Sequence, residues 1–388
     1  AGNEKTSENI FERNKRDINM EKIKIKIGES FKTAFSNDAG VFQDGTVPLY
    51  RDVDGKLWGM SGHSHMGHIG MFCGTNLKDM KYMYEAKTSF EIGDAGSAFA
   101  GVKYPEGVLS RGSIWPFGLY VCPETHRFFC YFHNETGWNG KGTAYDALGL
   151  CRQPRFDSDF RHVGMMHSDD EGRSWKFDRW VLTGEAVCFT EKFVPEDINA
   201  KGQSGDVINL GSGDFSCFVD KEFLYLFYNV ITVDIKKGEW LSCDVCVART
   251  RLRKDGVMGD FVKYYNGSFS EAGNLGKESV VVKNGWHPRV AFDKTNNRYL
   301  MCYNLFDKTI AEKFGLTERL VVAAGKSLTE WDEPSPLPDK TGNFFGNHYN
   351  ALVSADSVGQ PCECGEKIII MTGHNGTDVT GYDAEIVG

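Results

Sequence analysis

From Val47 onward the chain alternates short apolar runs with clusters of charged, Gly and Asn residues, and no stretch carries the period of an amphipathic helix of three turns. One phrase recurs five times. It reads VPLYRDVDGKLWGMSGH from Val47, WPFGLYVCPETHRFFCYFH from Trp115 and GDFSCFVDKEFLYLFYN from Gly213. It returns as WHPRVAFDKTNNRYLMCYN from Trp286 and NHYNALVSADSVGQPCECGEKIIIMTGH from Asn347. Each copy is a pair of apolar runs joined by turn residues, which predicts a β-hairpin. A spacing of roughly 50–100 residues suits one small sheet per repeat. The predicted fold is all-β, a five-bladed β-propeller with an axial active-site pocket. The first strand of every blade would line the axis, so the polar residues that open those strands would meet there.

Residues 1–35 read as an N-terminal extension and residues 36–388 as the propeller. Within the extension, KIKIKIGESF from Lys22 alternates basic and apolar positions. It predicts a strand that closes the ring or joins an outer edge. The stretches 138–161 and 184–212 are poorly patterned and rich in Gly, Asp and Lys. They predict surface insertions on one rim, at the pocket mouth.

Composition narrows the partners. With 388 residues, 41% of them hydrophobic, the chain can bury a sizeable core. A formal net charge of −9 argues against a nucleic-acid or anionic-membrane surface. No apolar run approaches the ~20 residues of a membrane span. The opening AGNEKTSENIFERNKRD lacks the apolar core of a signal peptide and reads as the start of a mature chain, with a secreted or periplasmic location expected. Oligomeric state leaves no signature in the pattern. The 11 cysteines are odd in number and scattered, unlike a disulfide framework. Cys243 and Cys246 would point to opposite faces of a strand, poor geometry for a shared metal. Cys362 and Cys364 flank a turn and could pair.

SDDEGRSWKF, from Ser168 to Phe177, matches the Asp-box pattern Ser-x-Asp-x-Gly-x-Ser/Thr-Trp. Asp170 and Gly172 should build its turn and Trp175 should pack between strands, a structural device far from the axis. His63, His65 and His68 lie close together in SGHSHMGH, and one of them, His63 foremost, is a candidate sugar contact. Arg111 and Arg289 could hold an anionic sugar or orient a carboxylate. Trp115, Trp138, Trp286, Phe345 and Tyr349 could stack on apolar sugar faces, or wedge the blades apart.

The plan of a five-bladed propeller with an acidic residue opening blade one and another opening blade three resembles the five-bladed glycoside hydrolases. These are the arabinanase and xylosidase group and the anhydro-galactosidases. VARTRLRKDG…FVKYYNGSFSEAGNLGKES (Val247 to Ser279), followed by HPRVAFDKTNNRYLMCYN, is similar to the third-to-fourth blade junction of a formerly uncharacterised propeller family that includes endo-D-arabinanases. The resemblance covers most of the chain from about residue 35, loosely. It implies paired carboxylates in the axial pocket. Glycosidic cleavage needs one carboxylate to activate water or attack the anomeric carbon, and a second group to protonate the leaving oxygen. Asp44 in VFQDGTVPL and Asp214 in GSGDFSCF stand at the openings of blades one and three, and Asp38 competes with Asp44. The arabinanase group usually opens blade four with a Glu acid. This chain departs from that pattern with Trp286-His287-Pro288-Arg289. His287 is then the first candidate acid, its pKa expected to be raised by a neighbouring Asp, with Glu271 and Glu278 as fallbacks. His348 opens blade five and is a candidate sugar contact. No cofactor is expected to be required, although a structural calcium or sodium ion in the axial channel is common in such propellers.

The expected activity is that of a glycoside hydrolase on a poly- or oligosaccharide, with furanose units suggested by the resemblance. A sialidase-like enzyme, a polysaccharide lyase using His and Tyr, and a non-catalytic carbohydrate-binding propeller stand as alternatives.

Overall fold

The structure, a computed structural model, describes residues 23–64, 67–89, 113–135, 161–184, 206–234, 237, 239–306, 319–337, 348–373 and 378–388. These are all-β, with one 3-10 turn at Asn37–Ala39. Strand β1 (Ile25–Lys32) comes first. A four-stranded antiparallel unit follows, made of β2 (Leu49–Arg51), β3 (Leu57–Ser61), β4 (Gly70–Gly74) and β5 (Lys81–Glu85). After the short β6 (Lys87–Thr88), the second unit is β7 (Ser113–Val121), β8 (Phe128–Glu135), β9 (Arg161–Ser168) and β10 (Ser174–Thr183). The third is β11 (Val207–Asp220), β12 (Phe223–Asp234), β13 (Glu239–Arg251), β14 (Val262–Tyr265) and β15 (Ser268–Ala272). The fourth is β16 (Gly285–Asp293), β17 (Arg298–Leu305) and β18 (Arg319–Ser327), edged by β19 (Glu330–Trp331) and β20 (Ser335–Pro336). The last contains β21 (His348–Ser354), β23 (Lys367–Gly373) and β24 (Val379–Ile386), while the two-residue β22 (Glu363–Cys364) pairs with β16. β1 pairs antiparallel with β24, so residues 25–32 of the expected extension complete the last sheet. A bridge between Arg161 and Gly211 joins the second and third units into one ten-stranded sheet.

Burial falls from first strand to last, which explains the sequence pattern. All nine residues of β7 are buried, whereas β5 and β15 are largely exposed. A strand covered on both faces reads as a continuous apolar run. The cores lie between units. One apolar cluster joins the first three, from Trp58 through Phe132 to Phe215 and Tyr228. Others join the third to the fourth (Phe227, Met301) and the fourth to the fifth (Leu300, Ile370). A further cluster packs Phe35, Leu49 and Phe72 against Val353, Ile369 and Met371, closing the last unit on the first. Each pair of neighbours thus buries the faces that either would expose alone.

The final polar residue of each of the first four phrases has a specific partner. His63 Nδ1 is 2.9 Å from the Ser113 hydroxyl. The Asp214 amide donates to His133 Nδ1 (3.1 Å) and the His287 amide to Asn229 Oδ1 (2.9 Å). Asn350 Nδ2 donates to Asn304 Oδ1 (3.1 Å). Every one of these ties the second strand of a unit to the first strand of the next. The Asp box folds as its sequence predicts. Asp170 accepts from the Ser168 hydroxyl (2.6 Å) and the Ser174 amide (2.9 Å), and Trp175 is fully buried with its indole N–H on the Gly172 carbonyl. The described cysteines are free thiols, Cys362 and Cys364 among them.

Candidate active site

Four of the five first strands carry a bulge at the same height. The register slips between Pro116 and Gly118, Gly213 and Ser216, Trp286 and Arg289, and His348 and Ala351. At three of these bulges a non-glycine residue takes a left-handed backbone: Asp214 (φ 44°), His287 (φ 52°) and Tyr349 (φ 56°). Such conformations are rare for side chains of this size and cluster at functional sites. A bulge re-aims the side chain it carries. Gly213 is needed beside Asp214, because a Cβ there would lie 2.6 Å from the His133 ring and 2.7 Å from Arg161. Gly45, after Asp44, plays the same part against Phe117.

The re-aimed groups meet three carboxylates. Tyr349 donates its hydroxyl to Asp44 Oδ1 (2.9 Å). Arg161 Nε donates to Glu135 Oε1 (3.0 Å), and its Nη1 lies 3.9 Å from Asp214 Oδ2. His133 sits between them, its Nε2 3.3 Å from Glu135. An amide can only donate, so His133 Nδ1 carries a lone pair toward Asp214 and Nε2–H faces Glu135. Phe117 stacks on the His133 ring at 5.2 Å, and Trp115 meets its edge at 5.3 Å. On the other side, His287 Nε2 is 4.0 Å from Asp214 Oδ1, and its ring lies 4.3 Å from Tyr349 and 5.2 Å from His348. Trp286 lies 4.7 Å from the His287 ring.

The electrostatics separate these groups. Burial pushes Asp44 above the usual carboxylate range, and the charges of Glu135 and Asp214 add to the rise, while the Tyr349 hydrogen bond opposes it. Burial and the same carboxylates hold Tyr349 well above the ordinary phenol, so it remains a donor. Burial, with His348, Arg161 and His133 nearby, pulls His287 well below its ordinary value. The Asp expected beside His287 is there as Asp214, but loss of hydration outweighs it and the imidazole is neutral at neutral pH.

Of the residues singled out by sequence, Asp44, Asp214, Trp286, His287 and His348 come together. Asp38 does not. It is exposed on the 3-10 turn and paired with Lys32 at 2.9 Å. His63 is fully buried behind Trp115, stacked on it at 4.7 Å, and Trp115 is itself enclosed between His63 and His133. His68 lies at the surface against the Tyr82 hydroxyl. Arg289 lies farther along β16 and donates to the Val47 carbonyl. Glu271 is on the outer strand β15, and Glu278 is ion-paired with the buried Lys263 at 2.6 Å. Arg111, His65, Trp138 and Phe345 fall outside the described residues. Glu135, Arg161 and His133 were missed, and Tyr349 was read only as a platform. The signal available was positional: His133 and Glu135 end the second strand of a phrase, where the other copies carry their inter-unit residue.

No protein-family model matches the chain, and no curated protein matches it. Among solved structures it is similar to a family 117 glycoside hydrolase produced by the marine bacterium Zobellia galactanivorans, at 11% identity over 94% of this chain and 90% of that one, TM-score 0.48. It is also similar to an α-L-arabinofuranosidase from Lactobacillus brevis (12% identity, 90% and 92% covered, TM-score 0.46). A third is the GH93 α-L-arabinofuranosidase of Fusarium graminearum, solved with arabinobiose (11% identity, 93% and 99% covered, TM-score 0.46). At such identities, and with TM-scores below 0.5, the chemistry of this site rests on its own geometry.

Proposed function

We propose that the five units are the blades of a five-bladed β-propeller and that the chain is a glycoside hydrolase acting on a poly- or oligosaccharide at its axis. The observation that carries this reading is the convergence of Asp44, Glu135 and Asp214, from three successive units, in environments that differ. Asp44 holds its proton more tightly than an ordinary carboxyl, and it takes the role of acid toward the leaving oxygen. Asp214, on a strained bulge beside a neutral His287, is the carboxylate that activates water or attacks the anomeric carbon. Glu135, joined to Arg161, fixes the position of His133 and through it the Asp214 backbone. His287 is therefore a contact to substrate and not the proton donor. Its Nδ1 and the Trp286 indole N–H are buried without a protein partner among the described residues, as polar atoms kept for a ligand's hydroxyls are. Furanose units in the substrate are part of the same proposal, on the resemblance alone.

The test is a screen for new reducing ends over plant, algal and mycobacterial polysaccharides, with ultraviolet absorbance followed in parallel, for the parent chain and Asp214→Asn. New reducing ends without absorbance, abolished in the variant, support a hydrolase. Absorbance from an unsaturated product would instead establish a lyase. Binding without turnover, unchanged in the variant, would leave a carbohydrate-binding propeller.

A further inference from the structure

A cavity of about 30 Å3, whose lining includes none of the three carboxylates, lies where β2, β7, β11, β16 and β21 all contribute lining residues. That exceeds the roughly 10–15 Å3 needed to seat one water. Its walls are apolar apart from Tyr50, Arg289, Gln360 and the thiols Cys217 and Cys362. Among the described residues Arg289 is the only cation lining it. The guanidinium donates through Nη1 to the Val47 carbonyl, and no carboxylate among the described residues pairs with it. The groups whose charge bears on it most are the thiols of Cys362, Cys302 and Cys217. Burial raises all three, Cys362 to about 12, so they are uncharged at neutral pH. The Gln360 amide is engaged at both ends with the Arg51 backbone. Burial lowers Arg289 only to about 10, which leaves it protonated.

A part-buried guanidinium that lines a small, mostly apolar cavity, with one hydrogen bond and no counter-charge among the described residues, favours a negative partner there. Calcium or sodium, expected in the channel, does not fit this chamber. Either would face a fixed positive charge and no carboxylate. We infer that the cavity binds a small inorganic anion of chloride size, held by the Arg289 guanidinium with the Tyr50 hydroxyl as a second donor. Because every unit contributes wall, the anion acts as a pin among the first strands, and its effect falls on stability.

The experiment is thermal unfolding of the full chain at matched ionic strength in potassium chloride, bromide or gluconate. The expected result is a saturable Tm rise of roughly 2–4 °C with either halide over gluconate. It should be absent in Arg289→Met and weaker in Tyr50→Phe. Crystals soaked in bromide should show an anomalous peak at hydrogen-bond distance from the guanidinium, a measurement that stands even if Arg289→Met does not fold. Equal melting of the parent chain in all three salts would overturn the inference. So would a halide response that survives in Arg289→Met, an empty bromide map, or a calcium-dependent rise without any anion dependence.

Discussion

At the scale of single residues the site is set by environment more than by residue type. Asp44 and Asp214 are the same amino acid in one cluster, yet Asp44 carries a phenol on its oxygen whereas Asp214 faces Arg161 and His287. Replacing Asp214 by Asn keeps the shape and removes the charge, and should lower kcat by roughly 10²–10⁴ with Tm unchanged, measured on the first substrate found. Tyr349→Phe removes the donor that holds the Asp44 pKa down, so that pKa rises. An acid is lost as pH climbs through its pKa, so the basic limb of kcat/KM should move to higher pH in this variant, by up to about one unit. A shift of the acidic limb instead would mean that Asp44 works as the base.

At the scale of elements the notable device is the inter-unit hydrogen bond. Asn229 lies within its own strand yet serves the next unit, receiving the His287 amide and donating to the Gly285 carbonyl (2.9 Å). Asn229→Ala would leave a buried amide without its acceptor at a cost of about 1–3 kcal/mol. Because the orphaned amide belongs to a bulge in the site, turnover should fall along with the urea midpoint. Trp175→Ala is the contrasting case. It empties a fully buried site in the Asp-box hairpin, remote from the carboxylates, and should cost about 3–5 kcal/mol while leaving KM unchanged. Together the two variants separate a contact that shapes the pocket from one that only holds a hairpin. The bulges themselves were not legible in the sequence. Their residues, Asp-Phe, His-Pro and Tyr-Asn, share no type, and what they share is a register slip on the first strand of a unit.

For the whole molecule, buried histidines govern the response to acid. His162 is pulled down to about 3 by burial, with His133 and Lys263 adding, and His287 is also lowered well below its ordinary value. Both bind protons in the unfolded chain more readily than in the folded one. Stability is therefore full above about pH 6.5 and declines below it, each histidine contributing a slope of about 1.4 kcal/mol per pH unit. For His162 the decline extends down to about pH 3. Urea unfolding at pH 7, 6 and 5 should show this fall, and His162→Gln should flatten it. A flat profile in the parent chain would show that neither imidazole is buried neutral.

The sequence by itself determined the strands and their grouping. Apolar runs broken by Gly, Asn and charged residues leave a chain little choice but hairpins, and the phrase repeats because each unit must bury two faces against neighbours of its own kind. It also singled out Asp44, Asp214, His287 and His348, which the fold brings together. Only tertiary structure decided the rest. Glu135 and Arg161 are 26 positions apart and meet through strand pairing, so no local pattern announces them. The burial that makes His287 neutral comes from side chains of other units, and a pKa belongs to that enclosure and not to the residue. Arg289, two residues past His287, is turned to a different chamber because the bulge between them shifts the strand's register, and a reading of one residue after another has no means of seeing that slip.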